Sequence, residues 1–153
     1  MIYYLDTSAL IKRYLTETGS RWIRDVVQPA AGHLWATSQL TTIEINSAFA
    51  RRRREGTVTP AQYADCQSAF AEDCVTLYQL VEIGDTVLAL ARDLVQRHPL
   101  RTLDALQLAS ALLVSRLFAG LNLTPLTFLS ADDRLLAVAQ AEGLQTDNPN
   151  LYP

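Results

Sequence analysis

Ile2-Tyr3-Tyr4-Leu5-Asp6-Thr7-Ser8 opens the chain with four apolar, β-prone residues that run straight into an acid and two hydroxyls. Aromatic and β-branched side chains favour a strand, and Asp, Thr and Ser favour helix starts, so the segment predicts a strand to Leu5 and a helix from about Ser8. The same alternation continues along the chain. Leu34 to Thr37 reads as a strand leading into a helix that reaches Glu55, and Thr59-Pro60 is an N-cap with proline at the first helical position, opening a helix to about Asp73. Val75 to Val81 reads as a strand, Asp85 to Arg97 as a helix ended by Pro99, and Thr102 to about Phe118 as a helix apolar on nearly every side. Leu126 to Leu129 is a strand, Ala131 to Glu142 a helix and Leu144 to Thr146 a short last strand, with a loop over Gly120 to Pro125. Such alternation predicts an α/β fold around a largely parallel sheet, and 153 residues without repeat or linker predict a single domain over 1–153.

Composition narrows the chemistry. With 49% hydrophobic and 19% charged residues the chain is ordinary globular material, and its longest apolar stretches are interrupted by Asp104, Gln107 and Ser110, so no transmembrane helix is expected. No basic segment or small-residue cleavage site accompanies the first strand, so a signal peptide is not expected and the cytoplasm is the expected location. Cys66 and Cys74 lie eight positions apart in one predicted helix, about 12 Å, too far for a disulfide. His33 and His98 have no clustered His or Cys companions, which argues against zinc and leaves oxygen ligands for any metal. The net charge of −3 and pI near 5.3 mean that a nucleic-acid substrate would need local positive charge or bound cations.

Four acids stand where chemistry can be built. Asp6 follows the first strand, at the carboxyl end where open α/β sheets build sites, though it could equally cap the next helix. Glu44 falls, at about 100° per residue, on the side of its helix shared with Leu40 and Ala48 and opposite Thr42, Asn46 and Arg53. An acid on an inward face needs a partner, Arg51 being one candidate, or a metal. Asp104 sits in the first turn of the apolar Thr102 helix, where the macrodipole also favours an acid. Ser130-Ala131-Asp132-Asp133 repeats the arrangement around Asp6. Ser130 as N-cap gives Asp133 a capping-box task and leaves Asp132 free for the cleft. Together the four predict a carboxylate site for Mg²⁺ or Mn²⁺ acting on phosphate. Arg51 to Arg54 either suit a helix C-terminus or form a phosphate stripe, with Arg51 placed to point along the cleft.

Tyr4-Leu5-Asp6-Thr7-Ser8-Ala9-Leu10, the inward Glu44, Leu103-Asp104-Ala105-Leu106-Gln107-Leu108-Ala109 and Phe128-Leu129-Ser130-Ala131-Asp132-Asp133-Arg134-Leu135 resemble the PIN-domain family, especially its VapC-type toxins. The likeness covers essentially the whole chain. It implies a single PIN-like domain with five mostly parallel strands and helices on both faces. It also implies an Mg²⁺- or Mn²⁺-dependent endoribonuclease, a small antitoxin partner and a homodimer. By motif, Asp6, Asp104 and Asp132 would ligate metal, Glu44 would complete the catalytic set, and Thr7 or Ser8 would bind the scissile region or a water. Two other readings remain open: a phosphatase or phosphotransferase with Asp6 as nucleophile, which Ser8 in place of a second acid disfavours, and a non-catalytic PIN scaffold that binds RNA or protein.

Overall fold

The computed structural model describes residues 1–121 and 123–152. Strand β1 (Ile2–Leu5) leads into the single turn α1 (Thr7–Leu10), then α2 (Ser20–Val26), β2 (Leu34–Ser38) and α3 (Gln39–Arg54). There follow α4 (Pro60–Thr76), β3 (Tyr78–Val81), α5 (Asp85–Arg97), α6 (Thr102–Gly120), β4 (Leu126–Leu129), α7 (Asp133–Ala141) and β5 (Gln145–Asp147). The five strands lie in the order β3-β2-β1-β4-β5 and every pairing is parallel, with Tyr4 opposite Ala36 on one side and Phe128 on the other.

That order places the site. The chain builds outward from β1 to β3, returns to lay β4 against the other side of β1, and so reverses direction between β1 and β4. Loops leaving the carboxyl ends of two such strands diverge to opposite faces, and the crevice between them is where doubly wound sheets bind ligands. Asp6 follows β1 and the Ser130–Asp132 turn follows β4, so both flank this crevice.

Alternate strand residues feed two cores. Ile2, Tyr4, Ala36 and Phe128 pack with residues of α5, α6 and α7 on one face, while Leu5, Trp35 and Leu129 pack with residues of α1 to α4 on the other. Helix α6 is long and apolar enough by composition to cross a membrane, but here it packs against α5 and β2 and buries Ala105, Leu108, Ala109, Ala111 and Leu112. The helix is apolar on nearly every side, as its sequence suggests, but it is not buried all round, because Leu103 and Leu117 are exposed.

The sequence reading of the strands holds to within a residue or two, except that β3 begins at Tyr78 because α4 runs on through Thr76. Helix α2 was not foreseen: its N-cap is Gly19 in a left-handed conformation, φ 82°, without the side-chain oxygen that marks most helix starts. The predicted loop from Gly120 begins one residue later, since Gly120 ends α6; Asn122 within it lies outside the described residues. Cys66 and Cys74 are free thiols on α4, as their spacing requires.

Candidate active site

Asp6 is 5% exposed and holds two roles at once. Its Oδ1 accepts from the Ala9 amide at 2.9 Å, which caps α1, and from the Ser8 hydroxyl at 2.8 Å, while its Oδ2 accepts from the Ser130 hydroxyl at 2.9 Å. Burial pushes this carboxyl up to about 6; the Ala9 amide and the Ser8 and Ser130 hydroxyls pull it back, and Glu44 adds to the rise. Burial also raises Asp104, in the first turn of α6, with Asp132 and Glu44 adding to the rise and Arg101 opposing it. That mutual influence is the electrostatic signature of acids sharing one space.

They do share one. Asp6, Glu44, Asp104 and Asp132 line a single open cleft of about 500 Å³, together with Thr7, Ser8 and Arg51. Glu44 reaches it from the flank of α3 rather than from the inward face: Thr41, Ile45 and Phe49 are buried, whereas Leu40, Glu44 and Ala48 are half-buried. Its Oε1 accepts from the Thr7 hydroxyl at 2.8 Å and from Gln107 Nε2 at 2.8 Å. The pairing with Arg51 allowed by helical spacing is not formed among the described residues. Ser8 is drawn into holding the site together, donating to Asp6 while accepting from the Ala131 amide at 2.8 Å.

The division of labour between Asp132 and Asp133 needs correction. Asp132, not Ser130, is the N-cap of α7; its Oδ1 accepts from the amides of Arg134 at 2.8 Å and Leu135 at 3.3 Å. Asp133 does not turn back on its helix but accepts from the Asn148 side-chain amide at 2.7 Å, outside the cleft. The reason is register: α7 starts two residues later than the Ser-x-x-Asp pattern suggests, because the Ser130 hydroxyl is committed to Asp6 and to the Asp132 amide at 3.0 Å. Asp132 is therefore both cap and cleft residue.

Sequence reasoning missed Glu17, Arg101 and Gln107, which line the cleft together with Arg52 of the predicted arginine stripe. Arg52 meets Glu17 at 3.3 Å, and Glu17 also receives the buried Lys12 ammonium at 2.9 Å. Arg101 stands at the N-cap of α6 and takes part in no ion pair among the described residues. Its signal was present only as a basic residue three positions before Asp104. Gln107 carried a weaker one, an amide within an otherwise apolar stretch.

The donor set suits a hard cation, being all carboxylate and hydroxyl oxygen. Among the described residues no three His, Cys, Asp or Glu side chains are already grouped as a metal cage. Glu44 Oε2 and Asp132 Oδ2 receive no hydrogen bond from the described side chains or amides. The oxygens thus fit an ion that keeps several waters better than one needing a closed protein shell.

Residues 3–141 match the PIN domain family. The chain is 34% identical over 119 residues to Ribonuclease VapC45 and to Ribonuclease VapC49, from two strains of Mycobacterium tuberculosis, covering 74% of this chain and 76% of each relative. The fold is similar to that of FitAcB from Neisseria gonorrhoeae, with a TM-score of 0.66 at 14% identity over 97% of this chain and 98% of that one. It is also similar to VapBC2 from Rickettsia felis, solved with a promoter DNA fragment, with a TM-score of 0.63 at 12% identity over 97% and 98%. The family match over residues 3–141, the parallel sheet and the 34% identity to two VapC ribonucleases agree: the chain belongs to the PIN-domain family, and within it to the VapC-type ribonucleases.

Proposed function

We propose that this protein is an endoribonuclease toxin that cuts single-stranded or loop RNA in the cleft between β1 and β4, with Mg²⁺ or Mn²⁺ as its cofactor. The observation that carries the reading is the convergence of Asp6, Glu44, Asp104 and Asp132, from four segments, in one cleft lined also by Arg51, Arg52 and Arg101. PIN-domain ribonucleases are metal-dependent as a class, and in this chain Asp6, Asp104 and Asp132 would hold the ion. When bound, the ion would neutralise the carboxylates and polarise both the attacking water and the phosphodiester.

The protein supplies the remainder. Glu44 Oε2 is available to take a hydrogen bond from the attacking water while Thr7 and Gln107 fix Oε1. Arg51 and Arg101 offer guanidinium groups to the phosphates that flank the cut, which an acidic chain needs in order to hold a polyanion. The product would carry a 5′-phosphate, by resemblance to the family. A phosphoaspartate mechanism at Asp6 is disfavoured because Ser8 stands where such enzymes carry a second acid.

A small antitoxin, encoded alongside, would restrain the enzyme in the cytoplasm, and the active form would be a homodimer. Support for the antitoxin comes from relatives named VapC and from similar folds solved as VapBC2 and as a toxin–antitoxin complex from Klebsiella pneumoniae. The test is cleavage of a single-stranded RNA by the purified chain. Turnover with Mg²⁺ or Mn²⁺, lost in chelator and lost in Asp104→Asn, is expected. Turnover that persists in chelator would overturn the metal reading.

A further inference from the structure

Gln107 is 3% exposed on α6, yet it reaches across the interior to four polar groups on three other segments. Its Oε1 accepts from the Tyr4 hydroxyl of β1 at 2.7 Å. Its Nε2 lies 2.9 Å from Thr41 Oγ1, 3.2 Å from Thr7 Oγ1 and 2.8 Å from Glu44 Oε1. Burying an amide is unfavourable unless every group finds a partner, and among the described residues no buried side-chain polar atom lacks one.

The direction of each bond is fixed by its neighbours. Thr37 donates to the Leu5 carbonyl at 2.7 Å, so Thr41, 2.7 Å from Thr37, donates to Thr37 and leaves its own oxygen to accept from Gln107. The Tyr4 hydroxyl, 2.7 Å from Oε1, donates to the amide oxygen and holds it on its side. Nε2 is then the end turned to Glu44; the opposite orientation would set two oxygens against each other. One oxygen of Glu44 is held by Gln107 and Thr7, and the other stays free of protein donors among the described residues.

We propose that Gln107 is a positioning residue for the cleft, fixing Glu44 through an amide whose orientation is set by Tyr4 and Thr41. The inference rests on the metal-dependent cleft proposed above and deepens it. Gln107 touches neither the RNA nor the reacting phosphate. It holds one oxygen of the Glu44 carboxylate so that the other is presented to the hydrated cation and the attacking water. Tyr4, fully buried and stacked on Phe128 with ring centroids 5.6 Å apart, acts one step further back by preventing the amide from turning over.

The experiment compares wild type, Gln107→Leu, Tyr4→Phe and the double variant. Mn²⁺ affinity is read by calorimetry, kcat and KM from RNA cleavage, and folding from thermal melts. Tyr4→Phe keeps the ring and its packing, so it tests the idea even if Gln107→Leu does not fold. The expected result is Mn²⁺ binding weakened about tenfold in Gln107→Leu and about threefold in Tyr4→Phe. The loss of cleavage should fall on kcat with KM for RNA unchanged, and the double variant should be no worse than Gln107→Leu, since both act through one amide. Folded single variants with wild-type Mn²⁺ affinity and kcat would overturn the positioning role alone. Wild-type protein that neither binds Mn²⁺ nor cuts RNA would overturn the proposed cleft chemistry and this role with it.

Discussion

The Ser130 hydroxyl donates to Asp6 Oδ2 across 2.9 Å, joining the turn after β4 to the turn after β1 where the sheet reverses direction. The bond spans 124 positions in the sequence and holds a carboxyl that burial has pushed up to about 6 from its ordinary 3.8. Between those two values the folded chain binds a proton that the unfolded chain does not. The stability linked to Asp6 is therefore fully present below about pH 4 and is lost as pH rises through about 6, amounting to on the order of 3 kcal/mol across the window.

Asp6→Asn should accordingly raise the melting temperature of the metal-free protein at pH 7.5, while abolishing cleavage. The neutral amide avoids burying a charge but, without that charge, grips a divalent cation far more weakly. At pH 4, where Asp6 is already protonated, the variant should gain nothing. Melts at the two pH values check this, and equal gains at both would show that the effect is not electrostatic.

Added Mn²⁺ should stabilise the wild type more at pH 7.5 than at pH 5, because a cation favours the charged carboxylates that burial disfavours. Asp6→Asn should lose most of that difference. Thermal shift with a Mn²⁺ titration at each pH is the measurement.

Arg101→Ala should raise KM for RNA several-fold and leave kcat nearly unchanged. The salt dependence of binding should fall by about 0.7 in log–log slope for one lost phosphate contact on a single strand. Arg52→Ala should have a smaller effect on RNA and a larger one on stability, since Arg52 is engaged with Glu17 at 3.3 Å. Binding isotherms at several salt concentrations separate the two.

Legibility followed the range of the interactions. The strands and the four acids could be read because each is marked locally, by an apolar run or by an acid at its end. That Asp6, Glu44, Asp104 and Asp132 meet is a property of strand order and helix packing, which the sequence shows only indirectly, as acids after strands, at a helix start and on an inward helix side. Gln107 looked like an interruption in an apolar helix, and its partners Tyr4, Thr41 and Glu44 lie 103, 66 and 63 positions away. Helix α2 escaped because its start is defined by φ 82° at Gly19, where a Cβ would collide with the Pro149 carbonyl near the C-terminus. A helix start set by a distant backbone leaves no capping side chain to find.

Asp132 and Asp133 make the sharpest test, because adjacent acids do different work. Asp132 Oδ1 caps α7 through the Arg134 and Leu135 amides, and the same side chain lines the cleft; Asp133 binds Asn148 and faces away. Asparagine caps helices about as well as aspartate, so Asp132→Asn should leave stability within about 0.5 kcal/mol of wild type while abolishing cleavage through loss of charge. Asp132→Ala should lose cleavage and, with the cap gone, about 1 kcal/mol of stability as well. Asp133→Asn should cleave at close to the wild-type rate, because its oxygen remains to accept from Asn148 and no charge leaves the cleft. Cleavage rates and denaturant melts on the three purified variants check each arm. An inactive, folded Asp133→Asn beside an active Asp132→Asn would reverse the assignment, since the only physical difference invoked between the neighbours is which of them faces the other three acids.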